Sequence, residues 1–443
     1  MKLRIFAAIA IFLGIAAGVV IRLRAQGQDQ LQKITDSQRA DTEVMLINLR
    51  DAVKKNYYDP AYHGLDIDAR YKTYKEKLIK AETLGDAFRT VAAFLSGLDD
   101  PHTCFIPPTP IYQAQRAYKM QMFGDACFIT HVRPESDAAK KLHPGDQVMT
   151  LDGFGINRKD LWQLEYYLYQ LAPKRASEFT LRDPSGTVRK ERVLTKYLEG
   201  RELWNLTTHI ERQDLKSEMD NERSIWRNRY VEREDVMIWK MPQFLYLDSR
   251  IDYLIGLARK HATLILDLRG NPGGSMDVLE HMIGSFFDRD VQVAVRVGRK
   301  DKKPQMARTV GKNIFTGNLI VLVDSNSGST AELFARVIQL EHRGTVLGDH
   351  SSGSVMEARF YRFSAGVNTL VSFGAFVTEA DLIMSDGKSL EKTGVTPDEI
   401  ILPTPSQLAG GEDPVLARAA ELAGIKLDGL AAGKLFPYEW SPL

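Results

Sequence analysis

Apolar residues in the first third of the chain recur at helical spacing. From residue 30 to about residue 98 they fall three or four positions apart, as at Leu46, Leu49 and Val53. This spacing places them on one face of an amphipathic helix. A proline-rich stretch then ends the pattern. The pattern predicts a helical N-terminal domain over residues 30–110.

Residues 111–200 show a different pattern, in which short runs rich in β-branched and aromatic residues alternate with turns. Runs of this length and composition are typical of strands. We therefore expect a compact β-rich module in this part of the chain. The runs are 127–132, 147–151, 179–182 and 188–194.

Apolar strands and amphipathic helices alternate in the second half of the chain. The alternation starts after a stretch rich in Arg and Glu, residues 211–233. Such alternation indicates an α/β core. We expect a multi-domain α/β protein, with the core over residues 205–405 and a helical tail over residues 406–443. The strand-like runs are 236–241, 264–268, 291–297, 319–323 and 345–347.

The N-terminus has the pattern of a secretory signal. Lys2 and Arg4 precede an apolar run from Ile5 to about Ile21. A basic start, an apolar stretch and a small residue such as Ala25 are typical of a cleaved signal peptide. An uncleaved anchor over residues 1–25 fits as well, because the run approaches the length of a membrane span. Either reading predicts an extracytoplasmic protein, periplasmic or secreted, with membrane attachment left open.

Composition narrows the expected partners. Lys and Arg total 58 against 57 for Asp and Glu, so no net field favours nucleic acid as a partner. The nine His residues show no paired metal-ligand spacing, and no phosphate-binding loop is present. We expect neither a metal nor a cofactor. The two cysteines, Cys104 and Cys127, could pair outside the cytoplasm, although two free thiols fit equally well.

Candidate chemistry lies where an apolar strand runs into small polar residues and then into a helix. In the stretch 318–343, Ser329 directly precedes the helix that starts near Thr330. A helix start offers unpaired N–H groups and a partial positive charge, which suit a developing oxyanion. By itself, however, a serine before a helix is more often only an N-cap.

Several stretches resemble one family of serine peptidases. Ser329–Glu332 resembles the Ser-Ala-Ser-Glu of C-terminal processing peptidases, and LILDLRGNPGG, residues 264–274, resembles their strand and glycine turn. DPHT at 100–103 and EKTGVTPDEI at 391–400 fit the same pattern. The chain is thus identified as similar to the C-terminal processing and tricorn-core peptidases. The resemblance implies a crotonase/Clp-like β/α core with a helical N-terminal segment and an inserted PDZ-like domain, and residues 132–153 resemble the centre of a PDZ domain.

The resemblance also implies roles for individual residues. Ser329 would be the nucleophile that forms an acyl-enzyme. Its oxyanion hole would use backbone N–H groups of Thr330 and of the turn Gly273-Gly274. In the tricorn-like branch, a His from a polar turn ahead of the core is the general base, assisted by a Glu near the C-terminal end of the core. His102 and Glu391 match those two positions.

The general base is where the chain departs from the processing peptidases. Those enzymes use a lysine 25 residues after the nucleophile, and position 354 here is Ser. No lysine occurs between Ser329 and Lys388. His102 suits the task because the pKa of an imidazole is about 6.5 without special tuning. His350, which lies four residues before Ser354, is the rival base.

The PDZ-like segment implies a peptide-binding loop. In PDZ domains an extended peptide adds a strand to the sheet edge, and its carboxylate binds backbone N–H groups of a loop. By resemblance this loop is Phe123, Gly124, Asp125 and Ala126. Asp125 departs from the pattern, because its carboxylate would repel an incoming carboxylate.

The combined expectation is a serine endopeptidase that acts on unfolded or extended polypeptide outside the cytoplasm, without a cofactor. Two alternatives stay open. One is a catalytically inactive protein that kept the peptidase fold as a peptide-binding scaffold after losing the family lysine. The other is a hydrolase of small esters or amides.

Overall fold

A computed structural model describes residues 33–108, 112–171, 174–199, 229–366 and 370–440. The predicted signal or anchor segment, residues 1–25, lies outside these ranges. Within them, no helix combines the length and the apolar character that a membrane span needs.

Among the residues that the structure describes, three α-helices and a short strand precede the β-rich part of the chain. The first and third helices begin at capping boxes, in which Thr35 and Thr83 accept backbone N–H bonds. The apolar faces of the helices share one buried cluster with Phe105 of the short strand and Phe373 of the core, so they pack against a sheet. The elements are α1 (Asp36–Asn56), α2 (Ile67–Ile79), α3 (Leu84–Ser96) and β1 (Cys104–Ile106).

Residues 112–199, which we call the β-rich module, form an antiparallel sheet and a short helix. The sheet has the order β3-β4-β5-β7-β8, with β6 beside β5, and β2 pairs with β9. No described strand pairs with the outer side of β3. The elements are β2 (Tyr112–Gln115), β3 (Tyr118–Phe123), β4 (Ala126–Val132), β5 (Gln147–Leu151), β6 (Phe154–Gly155), α4 (Leu161–Tyr166), β7 (Ala176–Arg182), β8 (Val188–Leu194) and β9 (Lys196–Glu199).

The rest of the described chain alternates strands and helices, in agreement with the predicted α/β class. Its elements are β10 (Tyr230–Arg233), β11 (Val236–Lys240), α5 (Asp248–Ala258), β12 (Thr263–Asp267), α6 (Met276–Gly284), β13 (Val291–Gly298), β14 (Lys302–Ala307), β15 (Asn318–Val323), α7 (Thr330–Leu340), β16 (Thr345–Gly348), β17 (Met356–Ala365), β18 (Val371–Ile383), β19 (Glu399–Ile400), α8 (Pro405–Gly410), α9 (Pro414–Leu422) and α10 (Gly429–Gly433).

A mostly parallel sheet with the order β10-β11-β12-β15-β16-β19 forms the centre of the core. Every residue of β12 is buried, as expected for a strand covered on both faces. The strands β11, β12, β15 and β16 are parallel. Their carboxyl ends therefore meet at one edge, where the glycine turn follows β12 and Ser329 follows β15.

A second, antiparallel sheet brings the N-terminal segment to that edge. Its order is β1-β18-β13-β14, and β17 pairs with β18. The pairing of Cys104 with Phe376 fixes β1, and with it the turn that carries His102, beside the core. The strands β17 and β18 were not predicted from the sequence. In β17 most residues are at least partly solvent-accessible and form no apolar run that would indicate a strand.

The C-terminal helices cover one face of the parallel sheet. Leu416 and Ala419 of α9 pack in a buried cluster with Ile265 and Leu322. The fold therefore leaves the strand ends of the core between the β-rich module and the second sheet.

Candidate active site

Ser329 occupies a strained position between β15 and α7. Its φ and ψ angles are 54° and −121°, a conformation that costs a residue with a side chain about 1–3 kcal/mol. Its N–H donates to the carbonyl of Ser354 and to Oε2 of Glu332, both at 2.9 Å. Such a strained turn from strand to helix exposes the side chain of a nucleophilic serine.

The glycine turn after β12 lies directly against Ser329. A Cβ atom at Gly273 would stand 2.7 Å from the Cβ of Ser329, and one at Gly274 would stand 2.2 Å from the carbonyl oxygen of Phe244. Both positions therefore need glycine. The N–H of Gly273 donates to Oδ1 of Asn271 at 2.9 Å, so in this arrangement it is not free for a substrate oxygen.

Two backbone N–H groups in this region stay free to meet a substrate oxygen. Among the described residues, the N–H groups of Gly274 and Thr330 have no hydrogen-bond partner. Both residues line a cavity of about 400 Å³ together with Ser329 and His102. Of the predicted donors, Gly274 and Thr330 thus fit the role, whereas Gly273 fits as the residue that permits the close approach.

His102 is held by the polar turn between α3 and β1. The buried carboxylate of Asp100 accepts from the backbone N–H of His102 at 2.9 Å and from the Thr103 hydroxyl at 2.8 Å. The imidazole Nε2 lies 3.2 Å from Oγ of Ser354. In the described structure no hydrogen bond joins His102 to Ser329. The imidazole instead bonds Ser354, the residue at the vacant lysine position.

Glu391 approaches the other nitrogen of the ring. Its Oε2 lies 3.8 Å from Nδ1 of His102 and accepts from the N–H of Val355 at 2.8 Å. Burial raises the pKa of Glu391 to about 8 against the lowering effect of that N–H, and Asp100 adds to the rise. Burial also lowers the pKa of His102. Burial thus favours the protonated, neutral carboxyl of Glu391 and the unprotonated, neutral imidazole of His102.

Sequence reasoning missed the organising role of Glu332. This side chain is fully buried in α7 and accepts from the Ser329 N–H, the Ser351 hydroxyl at 2.6 Å and the N–H groups of Gly353 at 2.7 Å and Ser354 at 3.0 Å. One carboxylate therefore fixes both Ser329 and the loop that contacts His102. Its place three residues into the helix was the available signal, since acidic residues there often bond the cap.

His350, the rival base, and Cys104, whose thiol is another potential nucleophile, are less suited to catalysis than His102 and Ser329. Nδ1 of His350 lies 3.3 Å from the Thr396 hydroxyl, and His350 is not among the residues that line the cavity. Cys104 does line the cavity, but burial raises the pKa of its thiol to about 11, so the thiol stays protonated at neutral pH. Cys104 and Cys127 are both free thiols.

Asp100, His102 and Glu391 also offer three ligand atoms within 4.8 Å of one another. The Asp100 carboxylate, however, already accepts from the hydroxyls of Thr103 and Thr378 and from a backbone N–H. Its oxygens are thereby committed to holding the turn that positions the imidazole.

The four residues of the predicted peptide-binding loop form the hairpin turn between β3 and β4. Phe123 pairs with Ala126, and Asp125 is exposed. The N–H of Gly124 donates to Oδ2 of Asp349 at 3.0 Å. A peptide carboxylate can therefore bind that N–H only by displacing Asp349.

Comparisons with known proteins identify the core. Residues 239–401 match the profile of Peptidase family S41, which confirms the predicted resemblance. A tail-specific protease of Haemophilus influenzae is 25% identical over 374 residues, covering 76% of this chain and 50% of that protein. A carboxyl-terminal-processing protease of Picosynechococcus is 22% identical, covering 82% of this chain and 83% of that protein. The chain thus spans about half the length of the Haemophilus relative.

A solved structure of mature CPAF complexed with lactacystin has a similar fold. It superposes with a TM-score of 0.62 at 15% identity, covering 84% of this chain and 95% of that one. At 84% of this chain, the similarity in fold extends well beyond residues 239–401.

Proposed function

We propose that this chain, whose residues 239–401 form a Peptidase family S41 domain, is a serine endopeptidase that cleaves unfolded or extended polypeptide outside the cytoplasm. The observation that carries the proposal is one cavity that brings together Ser329, His102 and the free N–H groups of Gly274 and Thr330. The relatives that cover most of this chain are named proteases. Nucleophile, base and oxyanion donors are the parts that acyl transfer needs.

The proposed reaction starts with attack of the Ser329 hydroxyl on the scissile carbonyl. Its proton passes to Nε2 of His102, and the N–H groups of Gly274 and Thr330 donate to the oxyanion. Removing one such donor typically costs about 3 kcal/mol of transition-state stabilisation. The imidazolium then protonates the leaving amine, and water hydrolyses the acyl-enzyme by the reverse sequence.

Glu391 completes the arrangement in this proposal. A carboxylate beside Nδ1 stabilises the imidazolium and fixes the ring so that Nε2 is the atom that accepts the proton. To reach Ser329, the imidazole must exchange its bond to Ser354 for one to the nucleophile. Catalytic hydrogen bonds are commonly long in unliganded enzymes and shorten when substrate binds.

We propose an extended, partly apolar substrate. The cavity wall includes the apolar side chains of Met276, Met356, Phe376 and Leu382, which suit an apolar residue next to the scissile bond. The unpaired outer side of β3 in the β-rich module offers backbone groups for strand addition in the manner of PDZ domains. The extracytoplasmic location rests on the sequence pattern of residues 1–25.

The second candidate function is a scaffold that binds polypeptide without cleaving it. It is favoured by one observation: Ser354 stands where the processing peptidases carry lysine, and His102 bonds Ser354 instead of Ser329. If the imidazole never leaves Ser354, the nucleophile has no base.

Incubation with an unfolded protein, such as reduced and alkylated casein, decides between the two. The peptidase proposal predicts cleavage by the unmutated chain and loss of cleavage in both Ser329→Ala and His102→Ala. Binding of casein without cleavage by the unmutated chain would support the scaffold. Turnover of small esters alone would support an esterase.

A further inference from the structure

The β-rich module contacts two loops of the core, the one that ends at Ser329 and the one that carries Ser354. We call residues 324–329 the nucleophile loop and residues 349–354 the Ser354 loop. Neither contact was predicted from the sequence, which indicated only that the module would recruit substrate or gate its access. The contacts are made by Arg158, Gln121 and the hairpin turn at Gly124.

All three guanidinium nitrogens of Arg158, Nε, Nη1 and Nη2, donate hydrogen bonds. Its Nη2 bonds Oδ2 of Asp349 at 2.5 Å, its Nη1 bonds the His350 carbonyl at 2.9 Å, and Nε and Nη2 bond the Gly124 carbonyl at 3.0 and 2.8 Å. A guanidinium fork bound in this way holds its partners at fixed angles. Arg158 therefore joins the module's hairpin to the start of the Ser354 loop.

Asp349 is buried beside Arg158, so water cannot readily replace this partner of its carboxylate. Its side chain is only 3% exposed, and its Oδ2 accepts from both Arg158 and the Gly124 N–H. A buried carboxylate that loses its cation keeps the cost of its desolvation. The conformation of the loop at Asp349 thus depends on the module.

The other end of the same loop contacts the catalytic groups. Ser354 accepts from the Ser329 N–H, donates its own N–H to Glu332, and places Oγ 3.2 Å from Nε2 of His102. A shift of the loop at Asp349 is therefore transmitted to the groups around both nucleophile and base.

A second contact braces the nucleophile loop. Gln121 donates to Oδ2 of Asp324 at 2.7 Å, and the Ser325 hydroxyl donates to the backbone carbonyl of Met122 in β3 at 2.7 Å. Oδ1 of Asp324 accepts from the N–H of Gly270, at the start of the glycine turn. The module thus contacts the nucleophile loop directly and is linked to the glycine turn through Asp324.

We propose that Arg158 is a positioning residue for catalysis, acting through Asp349 and the Ser354 loop, so that the β-rich module supports the chemical step and does not serve peptide capture alone. This inference rests on the proposed peptidase function. It predicts that loss of the Arg158 contact slows reaction at Ser329 even for a probe too small to touch the module.

The test compares Arg158→Ala, Arg158→Lys and Asp349→Asn with the matched control Arg182→Ala. Arg182 is an exposed arginine of the same module, and its side chain bonds only Gln147 of that module. The readouts are the rate at which a small fluorophosphonate modifies Ser329, kcat and KM on an unfolded protein, and amide hydrogen exchange of residues 349–354.

For Arg158→Ala we expect modification of Ser329 to slow roughly 10- to 100-fold, the range that a small misplacement of catalytic groups produces. The value of kcat should fall in parallel while KM changes little, and exchange at residues 349–354 should accelerate. Arg158→Lys, which keeps the charge but not the fork, should lie in between. Asp349→Asn should resemble Arg158→Ala, and Arg182→Ala should match the unmutated chain.

Unchanged modification and exchange rates with a raised KM would show that Arg158 only recruits peptide, and would overturn the inference alone. Circular dichroism identifies a variant that does not fold, in which case Asp349→Asn, a nearly isosteric change, decides. If the unmutated chain is neither modified nor active, the peptidase proposal fails and this inference fails with it.

Discussion

The two halves of the candidate site are built in opposite ways. On the nucleophile side, Ser329 and Gly274 follow neighbouring parallel strands, and the buried Glu332 carboxylate accepts four hydrogen bonds there. On the base side, His102 and Glu391 come from distant segments and lie 3.8 Å apart. Nδ1 of His102 and Oε1 of Glu391 are buried without a hydrogen-bond partner among the described residues.

This difference indicates a division of labour. The oxyanion donors and the nucleophile need a fixed geometry before substrate arrives, because preorganised dipoles cost no rearrangement during the reaction. In the proposed mechanism His102 must move from Ser354 to Ser329, and tight bonds on both ring nitrogens would oppose that movement. Variants on the two sides should therefore fail in different ways.

The largest effect is expected for Ser329→Ala. Removal of the nucleophile should lower kcat/KM by roughly a thousandfold or more, because no acyl-enzyme can form. The fold should persist, since the bonds at this residue are made by its backbone. Casein cleavage and thermal unfolding measure the two expectations. Ser185→Ala, in an exposed turn of the β-rich module, is the matched control and should cleave normally.

The second-largest effect is expected for Glu332→Gln, which removes hydrogen bonds that hold Ser329 and the Ser354 loop in place. An amide can accept at only one atom and presents an NH2 group to N–H donors, so several bonds at Ser329 and the Ser354 loop are lost. We expect kcat to fall roughly 100-fold and the free energy of unfolding to fall by about 2 kcal/mol or more. Denaturant titration and steady-state kinetics measure both. Normal activity in a folded Glu332→Gln protein would contradict the organising role.

Glu391→Gln, on the side of the site that carries His102, should change the pH dependence of kcat/KM. The folded pKa of about 8 lies above the ordinary value for Glu, so the carboxylate forms only as the pH rises through about 8. In the unmutated chain kcat/KM should rise across that range, because the carboxylate stabilises the imidazolium. In Glu391→Gln kcat/KM should be lower, and this rise should be absent.

The same shift makes a stability prediction of opposite sign. A raised folded pKa favours the protonated fold, so the contribution of Glu391 to stability is present below its unfolded pKa and is lost as the pH rises through about 8. The free energy of unfolding of the unmutated chain should therefore decline toward pH 8 more than that of Glu391→Gln. Parallel pH dependences in the two proteins would show that the carboxyl is not desolvated as the structure indicates.

Ser354→Ala should have the smallest effect. The Ser329 N–H bonds the carbonyl of residue 354 and Glu332 bonds its N–H, and both groups survive the change. Only the hydroxyl contact to His102 is lost, so kcat should change by a few-fold at most, since a neutral hydrogen bond contributes about 1 kcal/mol. A loss as large as that of Glu332→Gln would mean that the hydroxyl itself takes part in the reaction.

Predictability from sequence follows the same division. The strand, turn and helix around Ser329 were predictable because they are contiguous in the chain, whereas the roles proposed for Ser329 and the glycine turn came from resemblance to the processing peptidases. The contact between His102 and Ser354 depends on the pairing of β1 with β18, which joins residues about 270 positions apart. No local pattern specifies that register, and the partly exposed β17 gave no strand signal.

The predicted peptide-binding loop illustrates the limit. Its residues were assigned by resemblance to a PDZ domain, whereas their contacts with Arg158 and Asp349 depend on how the module docks on the core. Side-chain partners across such an interface are set by tertiary packing, so Arg158, a single arginine ahead of α4, carried no sequence signal.

The pH dependence of the fluorophosphonate reaction at Ser329, measured in the unmutated chain and in His102→Ala, tests the central claim most directly. The account predicts modification mapped to Ser329. Its rate should rise with pH as His102 loses its proton, at a pH below the ordinary range of an imidazole because burial lowers the pKa of His102, and should nearly vanish in His102→Ala. Equal rates in the two proteins, or a label on another residue, would contradict it.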